Sequence, residues 1–283
     1  MPLRTPRLNR LLAKSGKGFA IAVDHGTAND AALLEGIEDM PKAVATLAEA
    51  GPDALLLTVG QAQTLQDLPG RQKPSLILRA DISNVYSGKR EISYWCAMIG
   101  DPVEQALRLD AACVILNLFS LPDQPDLHGE CIENIHRIRP ACDRFGMPLM
   151  IEPLVMKPAS AGGYAHDPDA DKVVALVRLA RELGADVIKA DPCEPTSRYH
   201  EIVRAAGCPV LPRGGGKVSL QEIFQRTYEL LRQGASGAVY GRNVSQHPNP
   251  AAMTRAFMAL IHENATPEQA LRHVEPKRSQ EAR

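Results

Sequence analysis

Residues 183–191 have the sequence Leu-Gly-Ala-Asp-Val-Ile-Lys-Ala-Asp. The glycine ends a predicted amphipathic helix, and the apolar run after it is typical of a buried β-strand. A helix that leads directly into a buried strand is one unit of an α/β fold, in which crossover helices join parallel strands. The stretch therefore indicates an α/β protein, and it places one lysine, Lys189, inside a buried strand.

The same unit recurs along the whole chain. Helical patterning separates most of eight short aliphatic runs, which predict strands at 19–23, 53–59, 75–80, 112–118, 147–152, 185–190, 208–211 and 237–240. Eight such units predict a single-domain (β/α)₈ TIM barrel. A doubly wound open sheet is the alternative, but Val23-Asp24-His25-Gly26 after the first strand lacks the GxGxxG turn of dinucleotide-binding folds.

The barrel is expected to occupy most of the chain. Residues 1–17 would close its base, residues 18–263 would form the barrel, and residues 264–283 would be a polar tail. The longest irregular connection, 81–100, follows the third strand and would lie over the barrel mouth. A basic N-terminus can also indicate a transit peptide, but this one lacks a serine-rich stretch and runs directly into a strand.

Composition narrows the possible partners. The chain has 283 residues, a net charge of −1, 45% hydrophobic residues and 4% aromatic residues. These values give no sign of a nucleic-acid or membrane partner, which would call for a basic surface, stacking aromatics or a long apolar helix. The six cysteines are scattered without a CxxC pair, which favours reduced thiols and a cytoplasmic location.

Lys189 is unusual because burying an unpaired ammonium group costs several kcal/mol. Burial lowers the pKa of a lysine, and a neutral amine can attack a carbonyl group to form a Schiff base. Two structural alternatives exist: the side chain could extend outward to solvent, or it could pair with a carboxylate such as Asp24 or Asp191.

Polar side chains recur where the other predicted strands end, namely Asp24, Arg79, Asn117 and Glu152. Active residues of (β/α)₈ barrels lie at these carboxyl ends, so we expect the side chains to converge with Lys189. In the first strand the small Ala20 and Ala22 alternate with larger residues, which would put Asp24 on the inward face. As structural alternatives, Asp24 could cap a turn, and Arg79 and Glu152 could form a buried ion pair.

The last two strands lead into glycine-rich loops with basic residues. One loop contains Arg213, Gly214, Gly215, Gly216 and Lys217, and the other begins with Gly241-Arg242-Asn243. Exposed backbone N–H groups in such loops bind anions, and phosphate sites of this barrel often form after strands seven and eight. The alternative is that the glycines only permit tight turns.

Metal binding is the competing chemistry. His25 beside Asp24 is the one suggestive pair, and no HxH or HxxxH spacing of a zinc site occurs at a strand end. We therefore expect neither a metal nor a cofactor.

Together these motifs resemble the DeoC/FbaB/LacD-type class I aldolases, which include archaeal-type fructose-bisphosphate aldolases, the autoinducer-2 aldolase/thiolase and aminodideoxyheptulosonate synthases. The resemblance spans roughly residues 8–262 and is carried by Asp24-His25-Gly26, Val187-Ile188-Lys189, Gly215-Gly216-Lys217 and Gly241-Arg242-Asn243. It implies a (β/α)₈ barrel and a homo-oligomer, with pentameric rings or a decamer as possible forms. It also implies that Lys189 forms the Schiff base, that Asp24 handles protons near the imine, and that Gly215, Gly216, Gly241 and Arg242 bind a substrate phosphate.

The chain departs from this family at two positions. Many members carry a tyrosine acid/base after the fifth strand, where this chain has Glu152-Pro153-Leu154, so Glu152 would take that role. Arg213 replaces a small residue and suggests a second anionic group on the substrate. Arg79 and Asn117 are further candidates for binding the substrate or its phosphate.

We therefore expect a class I aldolase that cleaves or forms a C–C bond in a phosphorylated ketose-like substrate. Thiolase or transaldolase chemistry on the same lysine is an alternative. So is a sugar-phosphate-binding regulatory protein with little turnover, and a metal-dependent lyase is a further rival.

Overall fold

The computed structural model describes residues 6–28, 30–86, 93–160 and 162–275. Its centre is a sheet of eight parallel strands: β1 (Gly18–Ala22), β2 (Ala54–Thr58), β3 (Ser75–Arg79), β4 (Ala111–Ser120), β5 (Leu149–Pro158), β6 (Val187–Ala190), β7 (Val210–Pro212) and β8 (Gly237–Tyr240). Their order across the sheet is β7-β6-β5-β4-β3-β2-β1-β8. The predicted (β/α)₈ barrel is confirmed, although β5 continues beyond its predicted end at residue 152.

Helices follow the strands as the alternating pattern predicts. They are α1 (Met40–Glu49), α2 (Ala62–Gln66), α3 (Pro102–Arg108), α4 (Pro125–Phe145), α5 (Ala170–Glu182), α6 (Tyr199–Ala206), α7 (Leu220–Arg232), α8 (Arg242–Ser245), α9 (Pro250–His262) and α10 (Pro267–Val274). None of the helices in the described part of the chain is long and apolar enough to cross a membrane.

The sheet closes through β1 and β8, which pair in parallel with Gly18 opposite Gly237. A Cβ atom on Gly237 would lie 1.7 Å from the carbonyl oxygen of Gly18, so this contact requires glycine. Between β7 and β8 a parallel bridge joins Arg213 to Val239, and the N–H of Ser236 donates to the carbonyl of Val210 at 2.7 Å. The barrel is therefore nearly closed, and the carboxyl ends of its strands converge on one mouth.

The barrel has two apolar layers. Phe19, Ile21 and Val23 belong to the large cluster between the sheet and the helices. Ala20 and Ala22 belong to the smaller cluster inside the barrel. The orientation predicted for β1 is thus confirmed, since side chains of a strand alternate between its two faces.

The N-terminal segment lies at the opposite end of the barrel from the mouth. Leu8, Leu11 and Leu12 join the inner cluster. The hydroxyl of Ser75, at the start of β3, donates to the carbonyl of Arg10 at 2.8 Å. These contacts cover the amino ends of the strands with apolar side chains.

Two segments have more structure than their polarity indicates. The segment 264–283, expected as a polar tail, contains α10, which begins with a capping box of Thr266 and Gln269. Leu271 and Val274 of this helix pack against the core, so the segment contains a short amphipathic helix that was not predicted from the sequence. Residues 276–283 lie outside the described part of the chain. In the connection 81–100, strands Asp81–Ser83 and Cys96–Met98 form an antiparallel hairpin. Residues 87–92 of that connection also lie outside the described residues.

Candidate active site

A cavity of about 280 Å³ opens at the carboxyl ends of the strands. Its wall contains most of the residues singled out from the sequence: Asp24, Arg79, Asn117, Glu152, Lys189, Arg213, Gly214, Gly215, Gly241 and Arg242. The strands that carry them are far apart in the chain, and the barrel brings their ends together. Of the predicted set, Gly216 and Lys217 do not line the cavity.

Lys189 projects from β6 into this cavity and is only 5% exposed. Its Nζ lies 2.9 Å from Oε1 of Glu152 on β5. Burial lowers the pKa of Lys189, and the positive charges of Arg79 and Arg213 lower it further, against the opposing effect of Glu152. The expected lysine–carboxylate pair therefore exists, but its carboxylate is Glu152 rather than Asp24 or Asp191.

Glu152 is surrounded by cations. Its Oε2 accepts from Nη2 of Arg79 at 2.7 Å, and its Oε1 lies 3.3 Å from Nε of Arg213. Burial would raise the pKa of Glu152, but the charges of Lys189, Arg79 and Arg213 outweigh burial and hold the pKa well below its ordinary value. Glu152 is thus an ionised carboxylate with both oxygens occupied, and the predicted Arg79–Glu152 ion pair is present.

Arg79, at the end of β3, contacts several polar side chains of the site. Its Nε donates to Oδ2 of Asp24 at 2.8 Å, and its Nη1 donates to Oδ1 of Asn117 at 3.2 Å. Asp81 lies on the same side, 3.4 Å from Nη1, and accepts from both the backbone N–H and the side-chain amide of Asn117. Arg79 and Asn117 therefore line the cavity, and their polar groups form hydrogen bonds with neighbouring side chains of the site.

Among the described residues, Asp24 has fewer hydrogen-bond and ion-pair partners than the other carboxylates of the site. Among the described side chains, only Arg79 contacts its carboxylate, through Oδ2. Burial would raise the pKa of Asp24, but Arg79 and Lys189 lower it below its ordinary value. Asp24 is therefore ionised and retains one carboxylate oxygen for a substrate or a water molecule.

Arg213 at the end of β7 is held by protein groups. Its Nη1 donates to both oxygens of Asp191, at 3.0 and 3.1 Å, and Asp191 also lies 3.2 Å from Nδ1 of His166. Its Nη2 donates to the hydroxyl oxygen of Tyr86 at 3.2 Å. The second substrate anion suggested by Arg213 has no support in this geometry, because the Asp191 and Glu152 carboxylates already balance its charge.

The two glycine-rich loops meet beside Arg242. Nη2 of Arg242 donates to the carbonyl of Gly215 at 3.2 Å, and no described carboxylate lies within ion-pair distance of its guanidinium. The N–H of Gly215 donates to no described residue. The side-chain amide of Asn243 holds the loop by donating to the carbonyls of Gly214 and Gly216.

Two other predictions for these loops need correction. Gly216 and Lys217 are exposed, and Nζ of Lys217 lies 3.4 Å from the carbonyl of Gln246, outside the cavity. The chain turns outward after Gly215, whose φ is +65°. Packing explains why position 241 is a glycine, since a Cβ atom there would lie 2.4 Å from Cε1 of His25.

His25, the one histidine suggestive of a metal, packs beside this glycine. In the portion of the chain that the structure describes, no three His, Cys, Asp or Glu side chains are grouped as a ligand set.

Sequence reasoning missed the role of Tyr86 in the site. It lies just after the hairpin strand Asp81–Ser83, lines the cavity and contacts Arg213, which is 127 positions away in the chain. Its presence in the connection over the barrel mouth was the one available signal, and no local pattern links it to β7.

Comparison with known proteins gives a consistent result. The sequence profile of the DeoC/LacD family aldolases matches residues 19–247. An uncharacterised aldolase of Saccharolobus solfataricus is 31% identical over 94% of this chain and 97% of its own. The 2-amino-3,7-dideoxy-D-threo-hept-6-ulosonate synthase of Halobacterium salinarum is 30% identical over 95% of each chain.

A solved structure gives the same result for the fold. An archaeal fructose-1,6-bisphosphate aldolase, with its catalytic lysine covalently bound to the carbinolamine intermediate of the substrate, is 25% identical and superposes with a TM-score of 0.71. The match covers 91% of this chain and 98% of that one.

Proposed function

Because this chain belongs to the DeoC/LacD aldolase family and is a class I aldolase, a carbon–carbon lyase, we propose that Lys189 forms its Schiff base with a phosphorylated ketose-like substrate. The observation that carries this proposal is a buried lysine of lowered pKa in the wall of a cavity at the barrel mouth. A lysine that is partly neutral near pH 7 is a nucleophile for a ketone carbon.

The first three bond changes lead to cleavage of the substrate. The lone pair of Nζ attacks the ketone carbon and forms a carbinolamine. Loss of the carbinolamine hydroxyl as water gives an iminium ion. The bond between the α and β carbons then breaks, its electron pair forms the enamine double bond to the former iminium carbon, and the aldehyde fragment leaves. The remaining enamine takes up a proton and is released by hydrolysis, which restores the amine.

Glu152 is the counter-ion of this sequence. Its Oε1 lies 2.9 Å from Nζ, so it faces a positive charge both before the reaction, as ammonium, and after condensation, as iminium. A preorganised anion beside a developing cation stabilises it in a water-poor site. Because both Glu152 oxygens have cationic partners, we assign it this electrostatic role in place of the acid/base role first expected.

Asp24 is the proton-handling carboxylate. It is ionised and has a carboxylate oxygen without a partner among the described side chains. In this role it accepts the proton that the attacking nitrogen must lose and passes it to the carbinolamine oxygen. General acid–base help of this kind is typically worth about 10²–10⁴-fold in rate.

The phosphate of the substrate lies between the two glycine-rich loops. Support for this site comes from Arg242, which lacks a carboxylate partner among the described residues, and from the N–H of Gly215, which lacks an acceptor among them. Both residues line the same cavity as Lys189, together with Gly214 and Gly241. A guanidinium and backbone N–H groups are the usual ligands of a phosphate.

Borohydride trapping tests the nucleophile. The protein is incubated with dihydroxyacetone phosphate and sodium borohydride, and the reduced adduct is located by peptide mass spectrometry. We expect one adduct on Lys189, none in Lys189→Ala, and an unchanged yield in Lys42→Ala, since Lys42 is exposed on α1. Activity that survives Lys189→Ala and disappears with a chelator would contradict the proposal.

We also propose that the enzyme works in the cytoplasm as a homo-oligomer. All six cysteines are unpaired and five are buried, which supports a reducing compartment. The oligomer rests on the family resemblance, and light scattering at micromolar concentration measures it directly; a monomeric mass would contradict it.

A further inference from the structure

We propose that the hydroxyl group of Tyr86 is the proton donor of the reaction, in place of the tyrosine that many family members carry after the fifth strand. This inference rests on the proposed Schiff base at Lys189. It assigns a catalytic residue from the hairpin that follows β3, on another wall of the barrel mouth.

The need for such a donor follows from the charges in the site. The carbinolamine hydroxyl must leave as water, and this requires a proton that an ionised carboxylate cannot give. The pKa values of Glu152 and Asp24 both lie below their ordinary values, so both groups are ionised near pH 7. The proton that Asp24 takes from the nitrogen is already used to form the carbinolamine hydroxyl, so neither carboxylate supplies the second proton that turns this hydroxyl into water.

Two side-chain contacts hold Tyr86 in the cavity wall. Its ring meets the ring of Phe119 edge-on, with centroids 6.0 Å apart. Its second contact is with Arg213. The guanidinium carbon of Arg213 lies 5.7 Å from the Tyr86 ring centroid, and Nη2 of Arg213 donates to the Tyr86 hydroxyl oxygen at 3.2 Å. Arg213 also reaches Glu152, which contacts Nζ of Lys189, so a chain of three contacts connects the phenol to the nucleophile.

The direction of the Arg213 contact makes the phenol proton available. A guanidinium can only donate, so the hydroxyl oxygen of Tyr86 is the acceptor and its own proton points elsewhere. Among the described residues, the Tyr86 hydroxyl donates no hydrogen bond and only accepts one, from Arg213. Burial raises the pKa of Tyr86, so the group is protonated at neutral pH, and the positive charge of Arg213 stabilises the phenolate that forms when the proton leaves.

His25 is the neutral group that competes for this role. Its imidazole lines the same cavity, and its Nδ1 is buried without a partner among the described residues. It packs, however, against Gly241 on the side of the phosphate loops, where a Cβ atom would already collide with its ring. Tyr86 instead contacts the arginine that borders the Lys189–Glu152 pair.

The proton balance closes in one cycle. Tyr86 gives its proton to the carbinolamine hydroxyl, which leaves as water, and the phenolate remains beside Arg213. When the C–C bond breaks, its electron pair enters the iminium and the proton of the substrate hydroxyl passes to the phenolate. The restored phenol then protonates the enamine carbon, and the phenolate takes a proton from the water that hydrolyses the iminium.

Hydrogen exchange with dihydroxyacetone phosphate tests this role without knowledge of the aldehyde partner. In deuterated buffer, the enamine step exchanges a proton on the carbon next to the imine, and nuclear magnetic resonance follows the rate. We expect Tyr86→Phe to slow this exchange by about 10²–10⁴-fold. The same variant still gives the borohydride adduct on Lys189 after long incubation, because the amine and the phosphate site are intact.

Tyr94→Phe is the matched control. Tyr94 is a buried tyrosine of the same connection whose hydroxyl has no partner among the described residues, and it does not line the cavity. Its exchange rate should stay within twofold of wild type, and circular dichroism should show that both variants are folded.

Each result has a separate meaning. Exchange in Tyr86→Phe within threefold of wild type, with the adduct present, overturns the role of Tyr86 alone. Loss of exchange in His25→Asn but not in Tyr86→Phe transfers the role to His25. Absence of the adduct in the wild-type protein contradicts the Schiff base itself and with it the basis for a Tyr86 proton donor.

Discussion

Nζ of Lys189 lies 2.9 Å from Oε1 of Glu152, and both side chains are almost fully buried. Lys189 and Glu152 do not form an isolated ion pair, because Arg79 and Arg213 also contact Glu152. Removing the carboxylate therefore leaves three cationic groups close together in a site with little water. Such a rearrangement affects both the reactivity of the lysine and the stability of the barrel.

Glu152→Gln should lower both activity and stability. Breaking a buried ion pair by removing one partner typically costs about 3–5 kcal/mol in the free energy of unfolding. The pKa of Lys189 should also fall further, since Glu152 opposes its lowering. Urea unfolding measures the first effect, and the acid limb of the pH–rate profile, shifted to lower pH, measures the second.

The control for this prediction is Glu182→Gln, which removes an exposed carboxylate paired with Arg178. Exposed pairs contribute about 0–1 kcal/mol, so its stability should be close to wild type. Equal losses in the two variants would contradict a special role for the Glu152 carboxylate.

Arg242→Ala should raise KM for a phosphorylated ketose by about tenfold or more, since one charge-assisted hydrogen bond to an anion is worth about 1.5–3 kcal/mol. KM for the unphosphorylated ketose should change little. Steady-state kinetics with both substrates provide the comparison.

Lys217→Ala tests whether Lys217 binds the substrate phosphate, as the sequence predicts, or lies outside the phosphate site, as in the structure. Lys217 is exposed and lies outside the cavity, so KM should change by less than about twofold. A loss as large as that of Arg242→Ala would restore Lys217 to the phosphate site.

Gly241→Ala should disturb the site by packing alone. The new Cβ atom would lie 2.4 Å from Cε1 of His25 and 2.9 Å from the carbonyl oxygen of Ala22. Overpacking of this kind typically costs about 1–3 kcal/mol, and here it also displaces a wall of the cavity. Thermal unfolding and turnover should both fall, whereas Gly60→Ala, with no atom within 4 Å of its Cβ position, should leave both near wild type.

Acid should destabilise the protein through Glu152, Asp24 and Asp191, while burial raises the pKa of Asp81 and opposes part of this loss. The pKa of Glu152 lies below its ordinary value of 4.5, and those of Asp24 and Asp191 lie below 3.8. A group whose folded-state pKa is depressed contributes stability above its unfolded pKa and loses it as the pH falls toward the folded value. Urea midpoints should therefore be level from about pH 7 to pH 5 and fall below about pH 4.5; a midpoint that rises on acidification would contradict the assigned ionisation.

The sequence by itself was sufficient for the architecture. Each of the eight barrel strands is encoded by a local pattern, such as the alternation of Ala20 and Ala22 with larger residues or the glycine at 184 before Val187-Ile188-Lys189. Eight such patterns in order lead to one topology, because parallel strands joined by crossover helices pair with their neighbours in the chain. Helix α10 and the hairpin of Asp81–Ser83 and Cys96–Met98 were not predicted. The proposed roles of Lys189, Asp24 and the loops of Gly215 and Arg242 were first suggested by their positions at strand ends, and they remain predictions.

The partners of these residues depended on the tertiary structure. Lys189 pairs with Glu152 and not with Asp24 or Asp191, Arg213 is occupied by Asp191, and Tyr86 reaches Arg213 across 127 positions of the chain. Such pairings are decided by the stagger of the strands around the barrel and by the direction of each side chain at the mouth. Local sequence patterns contain neither quantity, because charges in a buried site are balanced by neighbours in space rather than by neighbours in the chain.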